Sequence, residues 1–436
     1  MKIVLIDPKG LTSGLNSGLG YLSSALEDFE VETLDFNNMY GNEKKRLELA
    51  KNADIIGISI KSFTLNNAVK LASELRNINK NALIVAGGPH ITIDGHNFMK
   101  ENGSFDMSVF GEGEKNIADV ASGKDKKKIN GLLYRDGGKI VCNAKNPWIE
   151  DINKLPFPDY SIFDSVKAKS GIIEDYPLVT SRGCPYQCTY CSVGTVIGKK
   201  WRTRSPENII KELESAKNKY SSKKFRILDD DFTLDMKRAK ELCQMMIDEK
   251  ISMHWSCPNG IRADRLDEEL ISLMKDSGCY SISLGIESLV PDVFERITKG
   301  EKIEDIKHAV SMIKNADIGV NGFFIIGLPG STYKKDRETM KEAKKLKLDS
   351  ASWGILVPYP GTKIWKWVNS DKSVHILRDW KEGFHVGFKP KPVFETDDYK
   401  VKERVKAYRL ANLMFMGRKG LASASKLFFK GLVKRG

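Results

Sequence analysis

Three cysteines, Cys184, Cys188 and Cys191, fall within eight residues in the run "SRGCPYQCTYCS". A structural zinc site asks for four ligands, usually as two separated Cys-x2-Cys pairs. No histidine or fourth cysteine stands nearby, although a distant residue such as Cys257 could complete a zinc site. Three thiolates suit a [4Fe–4S] cluster instead, which is normally held by four. With three, one iron keeps a coordination position for a substrate or cofactor. The remaining cysteines, Cys142, Cys243, Cys257 and Cys279, are scattered and read as buried or incidental.

The chain that must position these thiols has 436 residues, 41% hydrophobic and 29% charged, which suits a folded protein of two domains. No stretch approaches the roughly 20 apolar residues of a membrane span. The opening "MKIVLIDPKG" reads as a buried strand and not a secretory leader, so a cytoplasmic protein is expected. Residues 1–125 alternate strands such as "KIVLID", "ADIIGISI" and "NALIVAGG" with helices such as "TLNNAVKLASELRNI", the pattern of a doubly wound, Rossmann-like parallel sheet. The loops at its strand ends, "DPKGLTSGLNSG", "SIKSFT", "GGPHIT" and "GEGE", are rich in glycine and small polar residues, and favour a bound ligand over plain tight turns.

Residues 126–175 read as a hairpin turning at Asp136-Gly137-Gly138 and a proline-containing linker. Over 176–365 six strand–helix repeats predict a (β/α)6 partial TIM barrel, with chemistry at the carboxyl ends of its strands. The unusual residues fall there: the cysteine loop after the first strand, Asp229, Asp230 and Asp231 after the second, and Asn259, Arg262 and Asp264 after the third. Glu287 ends the fourth, Gly327 begins "GLPG" after the fifth, and Pro358 and Tyr359 follow the sixth. Residues 366–436 form a helical, basic C-terminal segment.

Cys184-x3-Cys188-x2-Cys191, with Tyr190 before the last cysteine, resembles the signature of the radical SAM superfamily, and the strand-end motifs of 176–365 agree in order. The resemblance implies that the open iron binds S-adenosylmethionine, whose reductive cleavage gives a 5′-deoxyadenosyl radical that takes hydrogen from an unactivated carbon. It also implies an electron donor such as ferredoxin or flavodoxin. The acidic run would meet the ammonium of S-adenosylmethionine, although Asp229-Asp230-Asp231 stands where Gly-Gly-Glu is common; a salt-bridged carboxylate cluster is the alternative. Tyr190, Arg262 and Glu287 would contact the cofactor, and Gly327 and Pro358 would border the adenine and the active site. Tyr359 would be catalytic.

The glycine loops of 1–125 ahead of this barrel resemble the cobalamin-binding subgroup. The Asp-x-His-x-x-Gly motif, whose histidine ligates cobalt in many cobalamin proteins, is absent, so ligation without histidine is expected, with contacts from Ser59, Ser62, Gly87, Gly88, His90, Gly111, Glu112 and Gly113. The bland reading of His90 is a loop histidine bonded to backbone. The resemblance points to methyl transfer to an apolar or lipid-like small molecule. A radical cyclase or rearrangement enzyme without methyl transfer is the alternative. A methylthiotransferase would need three N-terminal cysteines, and residues 1–175 hold only Cys142. A non-enzymatic corrinoid or iron–sulfur sensor on nucleic acid is the least favoured reading. The net charge of +13 is spread along helices with interleaved glutamates, so no nucleic-acid partner is expected. Only "LFFKGLVKRG" at the end joins basic and apolar residues, as a peripheral membrane helix would; docking on the barrel is the other reading.

Overall fold

The computed structural model describes residues 1–10, 14–38, 42–384 and 389–415. Its first sheet has seven strands: β1 (Lys2–Asp7), β2 (Glu30–Asp35), β3 (Ile55–Ser59), β4 (Leu83–Gly87), β5 (Met107–Val109), β6 (Leu132–Asp136) and β7 (Lys139–Cys142), in the order β2-β1-β3-β4-β5-β6-β7. The first five are parallel. Ile3 to Ile6 are wholly buried, as a strand covered on both faces requires. Helix Leu65–Ile78 turns Ala68, Leu71, Ala72 and Leu75 inward at helical spacing.

The hairpin β6–β7 pairs antiparallel with β5. The first sheet therefore runs on past residue 125 to Cys142, since an open β5 edge would leave backbone groups unpaired. The turn has Gly137 and Gly138 at φ +53° and +79°, the positive pair that a two-residue hairpin needs.

The second sheet is parallel and six-stranded: β8 (Asp175–Leu178), then β11 (Lys224–Ile227), β12 (His254–Ile261), β13 (Cys279–Glu287), β14 (Gly319–Ile326) and β15 (Ser350–Ile355), neighbours in that order. β8 and β15 do not pair, so the barrel is partial. The expected first barrel strand is shorter than "PLVTSRGC". The chain leaves the sheet after Leu178 and makes β9 (Ser181–Arg182), which pairs only with β10 (Arg202–Thr203). A last antiparallel pair, β16 (Val374–Ile376) and β17 (Phe394–Thr396), precedes the helix Val401–Phe415, whose Phe415 ring lies 5.6 Å from Trp353 of β15. Among the described residues no helix is long and apolar enough to cross a membrane. The basic tail at 416–436 lies outside the described residues.

Candidate functional site

The cysteine loop runs between β9 and β10. Gly183 opens it at φ +88°, where a Cβ would strike the Lys200 carbonyl oxygen, so the loop can close only on glycine. Cys184 donates its N–H to Gly198 (3.3 Å), Cys191 donates its N–H to the Cys188 carbonyl (3.2 Å), and Thr189 donates to Ile297 (2.9 Å). Burial pushes the Cys184 thiol up to about 12 and the Cys191 thiol to about 11, and raises Cys188 as well, which Lys299 and Arg262 oppose. Such thiols stay protonated at neutral pH until a metal displaces the proton. Cys257 lies in the core on β12 at 2% exposure, beside Cys279, Asp229 and Cys243, and is no partner for the loop. Among the described residues no three His, Cys, Asp or Glu side chains close on one metal-sized point.

The three aspartates after β11 divide. Asp229 is absorbed by structure, accepting from the Thr180 N–H (2.6 Å) and the Ser181 hydroxyl (2.7 Å). Asp230 lines a cavity, and burial, then Asp229, push its carboxyl up to about 6. Asp231 is 1% exposed, and both its carboxylate oxygens are buried with no hydrogen-bond partner among the described residues. Burial, opposed by Arg262, pushes it up to about 7. A buried carboxylate without a donor is costly, which fits a site made for an absent cation. Glu287 closes β13 at φ +64° and accepts from the Tyr190 hydroxyl at 2.9 Å. Arg262 grips Asp264 through two hydrogen bonds (2.9 and 2.8 Å) and lies 3.6 Å over the Tyr186 ring, so its guanidinium supports the cysteine loop from below.

The carboxyl edges of the two sheets face each other across a cavity of about 370 Å3. Ser59, Gly87, Gly88, Gly111 and Gly113 line it from the first sheet, and Val179, Arg182, Leu228 and Asp230 from the barrel. A Cβ on Gly87 would meet nothing nearer than 4.0 Å, so the missing side chain leaves usable room. A glycine-lined wall of this kind fits a large flat ligand approaching the backbone.

Other anticipated residues lie elsewhere. Ser62 and His90 are turned away from the cavity wall. They bond each other at 3.1 Å (Oγ to Nδ1), and His90 stacks on Trp380 of the C-terminal segment at 5.6 Å. His90 also sits in the helix Pro89–Glu101 and not in a loop. Gly327, at φ +82°, gives its N–H to Asp336 (3.1 Å) and packs on Arg404, so its close approach serves the protein's own side chains. Pro358 is buried beside Tyr359. The Tyr359 ring is 5.8 Å from both Trp380 and Phe384, and burial, with Cys191 next, pushes its phenol up to about 12. Glu112 lines the cavity with its carboxylate already held by arginines. Sequence reasoning missed those arginines, Arg182 and Arg202, and the buried pair Lys299–Glu301 (2.8 Å); an arginine inside a strand of two residues carries no periodic signal.

The chain matches the model of the Radical SAM superfamily over residues 178–343 and that of the B12 binding domain over residues 4–121. It is 33% identical over 378 residues to an uncharacterized methyltransferase of Pyrococcus horikoshii, covering 85% of this chain and 82% of that protein. It is 25% identical to the anaerobic magnesium-protoporphyrin IX monomethyl ester cyclase of Cereibacter sphaeroides, over 84% of this chain and 63% of the cyclase. In structure it resembles a radical S-adenosylmethionine methyltransferase, TsrM, from Kitasatospora setae with cobalamin and a [4Fe-4S] cluster bound, at TM-score 0.73 and 18% identity, covering 86% of this chain and 77% of that one.

Proposed function

The chain belongs to the radical SAM superfamily and carries a B12-binding domain ahead of its barrel, and on that premise we propose that it is a cobalamin-dependent C-methyltransferase acting on a small molecule with an apolar or lipid-like part. The observation that carries the reading is the seam cavity, which brings the glycine rim of the first sheet against the strand ends that bear the cysteine loop and Asp230. When bound, the cluster and S-adenosylmethionine supply a hydrogen-abstracting radical, and cobalamin supplies a methyl group. Cys184, Cys188 and Cys191 would hold the cluster. Asp231 would accept the ammonium of S-adenosylmethionine, replacing its missing partner with a charge-assisted hydrogen bond. Glu287 would brace the cysteine loop from β13 through its hydrogen bond with Tyr190. Tyr359 would offer its phenol as a hydrogen-bond donor on the substrate side, beside the Trp380 and Phe384 rings.

The reading needs a one-electron donor of the ferredoxin or flavodoxin type and a reducing, cytoplasmic setting, since thiolates that solvent can reach oxidise readily. Its basic tail would rest on anionic lipid if the substrate lies there. A cyclase reading without methyl transfer is favoured by the likeness to the cyclase of Cereibacter sphaeroides. Anaerobic reconstitution of the full chain with iron, sulfide and hydroxocobalamin, then reduction with S-adenosylmethionine, separates them. Deoxyadenosine together with S-adenosylhomocysteine is expected. Deoxyadenosine alone from corrinoid-loaded protein supports the cyclase; neither product from iron-loaded protein sinks both.

A further inference from the structure

Glu112 stands on the cavity wall contributed by the first sheet, yet its carboxylate is used by the barrel. It accepts from Arg182 Nη1 at 2.8 Å and from Arg202 Nη1 at 2.8 and 2.9 Å. Those arginines are cross-strand partners in the ladder β9–β10, the stem of the cysteine loop. Like charges placed opposite each other push a ladder apart, and a ladder of two residues per strand has little else to hold it. Two carboxylates from the other domain supply the counter-ions: Glu114 takes Arg182 Nη2 (2.7 Å), and Glu112, at 5% exposure against 1% for Arg202, is the one that bridges both arginines. The linker completes the clamp. Ile149 donates its N–H to Glu112 Oε2 (2.7 Å), its carbonyl accepts from Arg202 (2.7 Å), and Trp148 packs against Gly198 at the far end of the loop.

We propose that Glu112 is a positioning residue: it pins both stems of the cysteine loop to the rim of the corrin cavity, so that the cluster and the corrinoid are held at one fixed separation. The inference rests on the functional reading above. It also explains why a residue of the glycine-rich "GEGE" turn faces the cavity without a polar group free for a ligand.

The test is the distance between two paramagnets in the full chain, the reduced cluster and cob(II)alamin, measured by pulsed electron–electron double resonance. Wild type is expected to give one narrow distribution. Glu112→Gln, which keeps the shape and loses the charge, is expected to load iron and corrinoid, to shift or broaden that distribution by about 1 Å, and to slow deoxyadenosine formation about 10-fold. A Glu112→Gln protein with full cofactor load and an unchanged distribution overturns the inference and leaves the methyltransferase reading standing. A wild type that binds iron but no corrinoid overturns the reading itself, and the inference with it. Should Glu112→Gln fail to load iron, Arg202→Lys and Arg202→Gln replace it. Lysine is expected to keep the narrow distribution and glutamine to lose it; equal distributions count against the clamp.

Discussion

The two strand-end rims that meet at the seam are built from opposite materials. The rim of the first sheet is mostly glycine and backbone, and the polar groups near it are already satisfied: Asp7 by Asn16 (2.9 Å) and Asn37 (2.6 Å), Glu112 by its arginines. The rim of the barrel is made of buried ionisable side chains, and one of them, Asp231, is left without a donor. A rim of the first kind recognises shape, because the charged side chains that reach it, Lys61, Glu112 and Glu114, are already paired within the protein. A rim of the second kind stores electrostatic cost until a cationic ligand relieves it. On the proposed reading, the chemistry belongs to the barrel side and the docking of a large planar cofactor to the first sheet.

The largest expected effect comes from breaking the barrel rim at its thiols. Cys188→Ser should abolish the dithionite-bleachable absorbance and S-adenosylmethionine cleavage, while hydroxocobalamin still binds through the first sheet. Loss of corrinoid binding in that variant would show that the rims are not separable. The converse break is Gly87→Val. Its side chain enters open space, so hydroxocobalamin affinity should fall about 100-fold, some 2.8 kcal/mol, with iron content unchanged. Its neighbour Gly88 is the control for mere strain. At φ +96° a Cβ there meets Ile60 N and O at 2.9 Å, so Gly88→Ala should cost about 1–3 kcal/mol of stability, read as a fall in melting temperature.

How much of these rims could be read from sequence follows the same division. The glycine loops and the cysteine spacing are local signals, and the strand–helix alternation set them at the ends of two parallel sheets. The clamp was not legible, because Glu112, Arg182 and Arg202 become neighbours only when two domains dock. Nor was the extension of the first sheet by β6 and β7: a hairpin shows in its turn glycines, but its docking on β5 depends on an edge elsewhere in the chain. The acidic run was visible as one block. Its split into a satisfied Asp229 and an orphaned Asp231 depends on which way each side chain leaves the strand end.

That split gives a smaller, sharper test. Burial raises the Asp231 carboxyl from its ordinary value of 3.8 to about 7 in the folded chain. The folded state therefore holds a proton that the unfolded chain gives up earlier, and stability is lost as pH rises between those values. Asp231→Asn should raise the stability of the cofactor-free protein by about 2 kcal/mol at pH 8, with no gain at pH 4. The same variant should weaken S-adenosylmethionine binding, measured by calorimetry on the iron-loaded protein. A variant that is stabilised but binds as well as wild type would remove Asp231 from the site.

The smallest expected effect belongs to His90, which lies on the first-sheet side but outside its rim. Its ring is sandwiched by contacts that have nothing to do with a metal: Ser62 on Nδ1, the Trp380 face, and the Phe98 ring at 6.1 Å. Burial, then the nearby Lys381, lowers its pKa to about 4, against the weaker opposite pull of Glu101 and Asp379. The unfolded chain therefore takes up a proton near pH 6.5 and the folded one only near 4, so wild type loses stability as pH falls through that window. His90→Phe keeps the stacking and removes the titration. It should change stability by no more than about 1 kcal/mol at pH 8, flatten the acid side of the stability profile, and leave the absorbance of bound hydroxocobalamin unaltered. A shifted corrinoid spectrum in this variant would mean that the histidine swings in to ligate cobalt, and the first rim would then contribute a ligand as well as a shape.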